Sequence, residues 1–234
     1  MTMRGMIFDV DGTLIDTNAA HVEAWRRAFR RFGFDVPLER IVPEIGKGGD
    51  KLVPSILGDE AEQRLGDALR DTQNQEFLGI AKQQRFRVFP GVEKVFAECR
   101  ARGIRTAVAT SSNETQLEAT QASAKLDLHR LADFVVTRTE NEASKPAPDL
   151  VVAAVQELRL APSDCAMVGD TVYDGLACRG AGVAFLGVLT GPASEADLLE
   201  VGARGVWRDV GHLVEDFDRA LEMASPAGAT HPDG

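Results

Sequence analysis

Basic residues are in deficit: 26 Lys and Arg stand against 36 Asp and Glu, a net charge of −10. No basic stripe is available to neutralise a phosphate backbone, so no nucleic-acid partner is expected. Long apolar runs are also lacking, and none approaches the length needed to cross a bilayer, so no membrane is expected either. Asp9 and Asp11 interrupt the apolar stretch near the amino terminus, so no signal peptide is expected and the cytosol is the expected compartment. Cysteines are few: Cys99, Cys165 and Cys178 are widely and irregularly spaced. That spacing fits neither a zinc site nor a disulfide framework, and reduced, buried thiols are expected. Nothing suggests a coiled coil or a large exposed apolar patch, so a monomer is expected. Small phosphorylated ligands are not excluded by the acidic balance, because a bound cation reverses the local charge of a site.

What is present is alternation. The runs GMIFDV, IRTAVAT, DFVVT, CAMVGD and AFLGVLT read as short, nearly continuous apolar strands. Between them apolar residues recur at three- and four-residue steps, as in Val22, Trp25, Phe29 and Phe32, in Val92, Val95, Phe96 and Cys99, and in Val151, Ala154, Val155 and Leu158. Leu213, Phe217, Ala220 and Leu221 predict one last helix. Strands of this kind alternating with helices predict a doubly wound α/β fold whose parallel sheet is covered on both faces. Residues 17 to 87 carry no convincing strand and are rich in Glu, Gln, Arg and Asp. They are expected to form a helical insertion over a core made of residues 1–16 and 88–224. Residues 225–234 are expected to be a disordered tail.

In such a sheet the ligand crevice lies at the carboxyl ends of the strands. Four strand ends carry polar residues. DVDGT places Asp9 and Asp11 two apart, on one side of an extended chain, with Gly12 permitting a tight turn. An EF-hand reading fails, because counting from Asp9 puts Leu14 and Ala20 where that loop needs Gly and Glu. VATSSN offers the hydroxyls of Thr110 and Ser111, either to an anion or as a helix cap. SKPAPD holds Lys145 on a stiff loop, where the prolines delay a helix until about Asp149. MVGDTVYDG ends a strand in Asp170, with Asp174 four residues on. Charges so near a core cost stability unless a cation or hydrogen bonds compensate them.

Taken together and in this order, DVDGT, Thr110, Lys145 in SKPAPD and GDTVYD resemble the motifs of the haloacid dehalogenase superfamily along almost the whole chain. The resemblance is to its phosphoglycolate phosphatase and β-phosphoglucomutase branches, with residues 17–87 similar to the small helical cap. It implies a Mg²⁺-dependent phosphatase of a small phosphorylated metabolite, with Asp9 as nucleophile and Asp11 as acid and base. It further implies metal ligation by Asp9, the Asp11 carbonyl and Asp170, and phosphoryl binding by Thr110, Ser111 and Lys145. Asp174 would orient a metal-bound water or Lys145. In the cap, His21, Lys47 and Lys51 are the residues expected to read the substrate. Asp11 separates the chain from the dehalogenase and phosphonatase branches, which lack it. Two rivals stay open: a sugar-phosphate mutase, and a non-catalytic phosphate-binding or phospho-aspartate module. His21 and Trp25 favour the mutase, whereas a cap arginine near residue 49 for a second phosphate is missing.

Overall fold

The computed structural model describes residues 3–138 and 143–225. The tail expected to be disordered lies, beyond Ser225, outside the described residues. Strand β1 (Gly5–Phe8) leads into a short ribbon strand β2 (Ile15–Asp16), and helices α1 (Asn18–Arg31), α2 (Leu38–Ile41), α3 (Gly49–Leu57) and α4 (Asp59–Gln83) follow. The chain returns through β3 (Arg87–Val88), α5 (Val92–Ala101), β4 (Arg105–Thr110), α6 (Glu114–Ala124), α7 (Leu128–Leu131) and β5 (Phe134–Thr137). After α8 (Asp149–Leu158) come β6 (Cys165–Gly169), α9 (Val172–Ala181), β7 (Ala184–Val188), α10 (Glu195–Glu200), β8 (Ala203–Trp207), α11 (Val210–Glu215) and α12 (Phe217–Ala224).

Six strands form one parallel sheet in the order β5-β4-β1-β6-β7-β8. Side chains alternate across it as the pleat requires. Met6 and Phe8 of β1 join the apolar cluster of α5, α11 and α12, whereas Ile7 joins that of α8, α9 and α10. Both faces are thus covered, and burial of each such side chain contributes about 1.5–3 kcal/mol. The three cysteines lie buried and unpaired in these two layers, and burial pushes the Cys99 thiol up to about 12.

The five strands read from the sequence are present, and β8 is a sixth. Its residues alternate between buried and more exposed positions at the sheet edge, so ARGVW carries no continuous apolar run. The single last helix read from the sequence is two, α11 and α12. They part at Asp216, whose carboxylate accepts the Trp207 indole N–H at 3.2 Å.

The helical insertion has a core of its own, built from Trp25, Phe29, Ile41, Leu52 and Leu69 among others. At its base β2 and β3 pair antiparallel, Ile15 with Val88 and Asp16 with Arg87, and the Arg87 guanidinium meets Asp16 at 3.0 Å. The chain therefore leaves and re-enters the sheet layer at one point. The strand order reverses about β1, between its neighbours β4 and β6, and this places a crevice at their carboxyl ends, beneath the insertion.

Candidate functional site

Just beyond the end of β1, the chain brings Asp9 to the crevice, where it is 5% exposed. Lys145 Nζ donates to Asp9 Oδ1 at 2.5 Å and is paired with Asp174 Oδ1 at 2.6 Å. Asp170, at the end of β6, completes a cluster in which Asp9, Asp170 and Asp174 each offer an oxygen within 4.8 Å of the others. Burial pushes the Asp9 carboxyl well above its ordinary range, against the pull of Lys145 and with the push of Asp174 and Asp170. Burial, reinforced by Asp174, likewise pushes Asp170 up to about 7. Burial alone would lower Lys145, but the two carboxylates beside it overcome that cost and hold its ammonium charged.

Local structure fixes these groups. Asp174 closes a capping box on α9: its Oδ2 accepts from Thr171 N at 3.1 Å and from Thr171 Oγ1 at 2.6 Å, leaving Oδ1 to face Lys145. Asp170 accepts from Thr13 Oγ1 at 2.8 Å and from Asn18 Nδ2 at 3.1 Å. Gly12, with φ of 86°, carries the backbone so close that a Cβ there would overlap both Asn18 Nδ2 and Asp170 Oδ2.

Asp11 has a different neighbourhood. Its Oδ1 accepts from Thr17 Oγ1 at 2.7 Å and meets His21 Nε2 at 3.1 Å, while its Oδ2 accepts from Thr110 Oγ1 at 3.1 Å and Ser112 Oγ at 2.9 Å. Thr17 stands at the start of α1 but makes no side-chain cap there, its hydroxyl being given to Asp11 instead. Burial would raise the Asp11 carboxyl, yet the His21 charge and the hydrogen bonds of His21, Thr17 and Ser112 outweigh it and hold it below the usual carboxylate range. His21 is stacked on Phe77 with ring centroids 4.1 Å apart, which fixes the imidazole plane.

A cavity of about 80 Å³ lies over these groups, lined on the sheet side by Asp9, Asp11, Ser111 and Lys145. Ser111 Oγ is buried there without a partner among the described residues, whereas the Thr110 hydroxyl is engaged with Asp11 and with Ser112 N. The roof is the segment Ile45–Gly49 of the insertion, with Trp25 and Gln73. It is tied down by Tyr173 Oη, which donates to Pro43 O at 2.8 Å, and by Asp50, which accepts from Ser144 Oγ and pairs with Arg138 at 3.4 Å.

Of the insertion residues marked from the sequence, His21 reaches the site. Lys47 borders the cavity with its ammonium held by Glu44 and placed 4.9 Å over the Tyr173 ring. Lys51 points outward, its side chain 49% exposed. Sequence reasoning passed over Ser112, Thr13, Asn18, Gln73 and Gln116, of which Thr13 and Ser112 stand inside the quoted motifs.

The cluster suits a cation. Its donors are all carboxylate oxygens, the preference of a hard divalent ion, and three buried carboxylates face one ammonium. The raised Asp9 and Asp170 express the same excess of negative charge.

The chain is 27% identical over 217 residues to Protein SUPPRESSOR OF QUENCHING 1, chloroplastic, of Arabidopsis thaliana, matching 89% of this chain and spanning only 20% of that protein. It is 32% identical over 187 residues to a phosphoglycolate phosphatase of Nitrosospira multiformis, with 78% of this chain and 81% of that one covered. A β-phosphoglucomutase of Bacillus subtilis is 27% identical over 206 residues, covering 84% of this chain and 88% of its own. The crystal structure of a hydrolase from Pseudomonas syringae superposes with a TM-score of 0.84 at 26% identity, covering 92% of this chain and 98% of that one. Residues 3–182 match the model of the haloacid dehalogenase-like hydrolases, and the chain belongs to that family.

Proposed function

We propose that the protein is a Mg²⁺-dependent phosphatase of small phosphorylated metabolites that works through an aspartyl-phosphate at Asp9. The observation that carries this reading is the division of labour between two carboxylates two residues apart. Asp9 sits with Lys145 and the acidic cluster, while Asp11 faces hydroxyls and an imidazole.

An Asp9 oxygen forms a bond to phosphorus as the bond to the leaving alcohol breaks, and the alcohol oxygen takes a proton from Asp11. The donors around Asp11 hold its carboxyl low, and His21 Nε2, 3.1 Å away, is the group placed to relay the proton that Asp11 hands on. In the second half Asp11 takes a proton from water, whose oxygen bonds to phosphorus while Asp9 is released as carboxylate. Lys145 and Ser111 hold the non-bridging oxygens. Asp9 and Asp170 would hold Mg²⁺ with the Asp11 carbonyl, and Asp174 would orient Lys145. Mg²⁺, when bound, supplies neutralising charge for the phosphoryl group. The roof over the cavity keeps bulk solvent and macromolecular substrates out while leaving room for a small ester and the attacking water.

Phosphate release from small phosphomonoesters tests the proposal. It is expected to need Mg²⁺, to stop with EDTA and to vanish in Asp9→Asn. Conversion of β-glucose 1-phosphate to the 6-phosphate without net phosphate release would establish the mutase instead. A long-lived phosphoprotein without turnover would establish the signalling module.

A further inference from the structure

Cations around the crevice are already taken. Lys145 is committed to Asp9 and Asp174, and Lys47 to Glu44. Beyond the roof an outer cleft of about 920 Å³ is bordered by Arg70 and Arg138 together with Asp50, Asp67 and Asp71. There Arg70 pairs with Glu62 at 2.7 Å and Asp67 at 2.6 Å, and Arg138 pairs with Asp50 at 3.4 Å. Three aspartates against two arginines make the cleft net negative, so an anionic group on the far side of a substrate would meet more carboxylates than guanidinium groups, although Arg138 Nε is buried there without a partner among the described residues.

Neutral hydrogen-bonding groups lie where the cavity meets the outer cleft. Gln73 of α4 and Gln116 of α6 are 6% and 7% exposed, face each other across the insertion–sheet boundary, and border both the cavity and the outer cleft. Gln116 Nε2 donates to Gln73 Oε1 at 3.1 Å, and Gln73 Nε2 approaches His21 Nδ1 at 3.5 Å. Each amide keeps one further N–H, and Gln116 Oε1 accepts from no side chain among the described residues. Beside them the Trp25 indole borders the same space, backed by Phe29 at a centroid distance of 5.5 Å. It lies so near Gly49 that a Cβ there would stand 3.0 Å from the ring. Paired carboxamides next to an indole match a polyol: the amides take hydroxyls, and the ring takes C–H faces.

We infer that the leaving group is an uncharged, hydroxyl-bearing alcohol bound by Gln73, Gln116 and Trp25, and that esters carrying a second anionic group are poor substrates. This inference rests on the phosphatase reading above and narrows its substrate class.

The test compares kcat/KM in Mg²⁺ for glucose 6-phosphate and glycerol 3-phosphate with that for phosphoglycolate and fructose 1,6-bisphosphate, with p-nitrophenyl phosphate as a generic ester. At least one neutral-alcohol ester is expected to exceed both anionic ones by about tenfold or more, the equivalent of one good hydrogen bond with no charge to desolvate. Gln116→Lys supplies the missing cation and is expected to move the ratio toward phosphoglycolate by about tenfold. Equal rates, or a preference for phosphoglycolate or the bisphosphate, would overturn the inference and leave the phosphatase reading standing. Release from none of the esters, p-nitrophenyl phosphate included, would overturn the phosphatase reading itself. The wild-type ratio decides even if Gln116→Lys fails to fold.

Discussion

Lys145 Nζ reaches Asp9 Oδ1 at 2.5 Å from 136 residues along the chain, and both side chains are buried. The same ammonium lies against Asp174, and Asp170 stands beside them, so one buried positive charge offsets three carboxylates. An arrangement this lopsided is costly as it stands. It suits a site that is to receive a cation.

Removing the ammonium should expose that cost. Lys145→Met is expected to lose about 3–5 kcal/mol of stability at neutral pH, because partners are left buried and unpaired. Acidification should recover part of the loss as the carboxylates take protons. Denaturant titration at pH 5 and pH 8 measures this, and a deficit no larger at pH 8 would count against the electrostatic account. Phosphate release should fall by about 10² or more.

Metal binding should depend on pH with a definite sign. Burial and Asp174 push Asp170 up to about 7, above its value in the unfolded chain. Its contribution to stability is therefore full below the ordinary carboxylate range and is lost as pH rises through about 7. Mg²⁺ binds the ionised form, so it should raise the melting temperature more at pH 8 than at pH 5, by about 2–4 °C per kcal/mol regained. Melting curves with Mg²⁺ or EDTA at the two pH values decide; a larger effect at pH 5 would refute the assignment.

His21 is expected to govern the protonation of Asp11. His21→Ala removes the largest attraction holding that carboxyl low, along with a hydrogen bond and the Phe77 stack. A rate loss of about 10²-fold is expected, with the pH profile displaced rather than merely scaled down. A profile of unchanged shape would reduce His21 to a packing residue.

Gly12→Ala is expected to abolish phosphate release. The backbone at φ of 86° resists a side chain, and the new methyl would overlap Asp170 and Asn18. A stability loss of about 1–3 kcal/mol should accompany it. A melting temperature and an activity like those of the wild type would show that the turn relaxes freely.

The order of carboxylates, hydroxyls and lysine at strand ends was legible because each motif is local. A strand of period two sets which side of the chain Asp9 and Asp11 begin on, and a turn signal sets where it stops. Periodicity of 3.6 located α1, α5 and α8 for the same reason. The edge strand β8 escaped because a half-exposed strand lacks a continuous apolar run.

What the chain's own pattern determined, then, was the doubly wound core, the helical insertion and the convergence of Asp9, Asp11, Lys145 and Asp170 on one crevice. Tertiary structure alone decided what each group faces. Thr13 finds Asp170 across 157 residues, Gln116 finds Gln73 across 43, and Lys145 finds Asp9 across 136. Such pairings depend on how the strands assemble into the sheet and how the insertion settles on it. The free energy of a buried charge is set by those distant neighbours, not by the residues beside it in the chain.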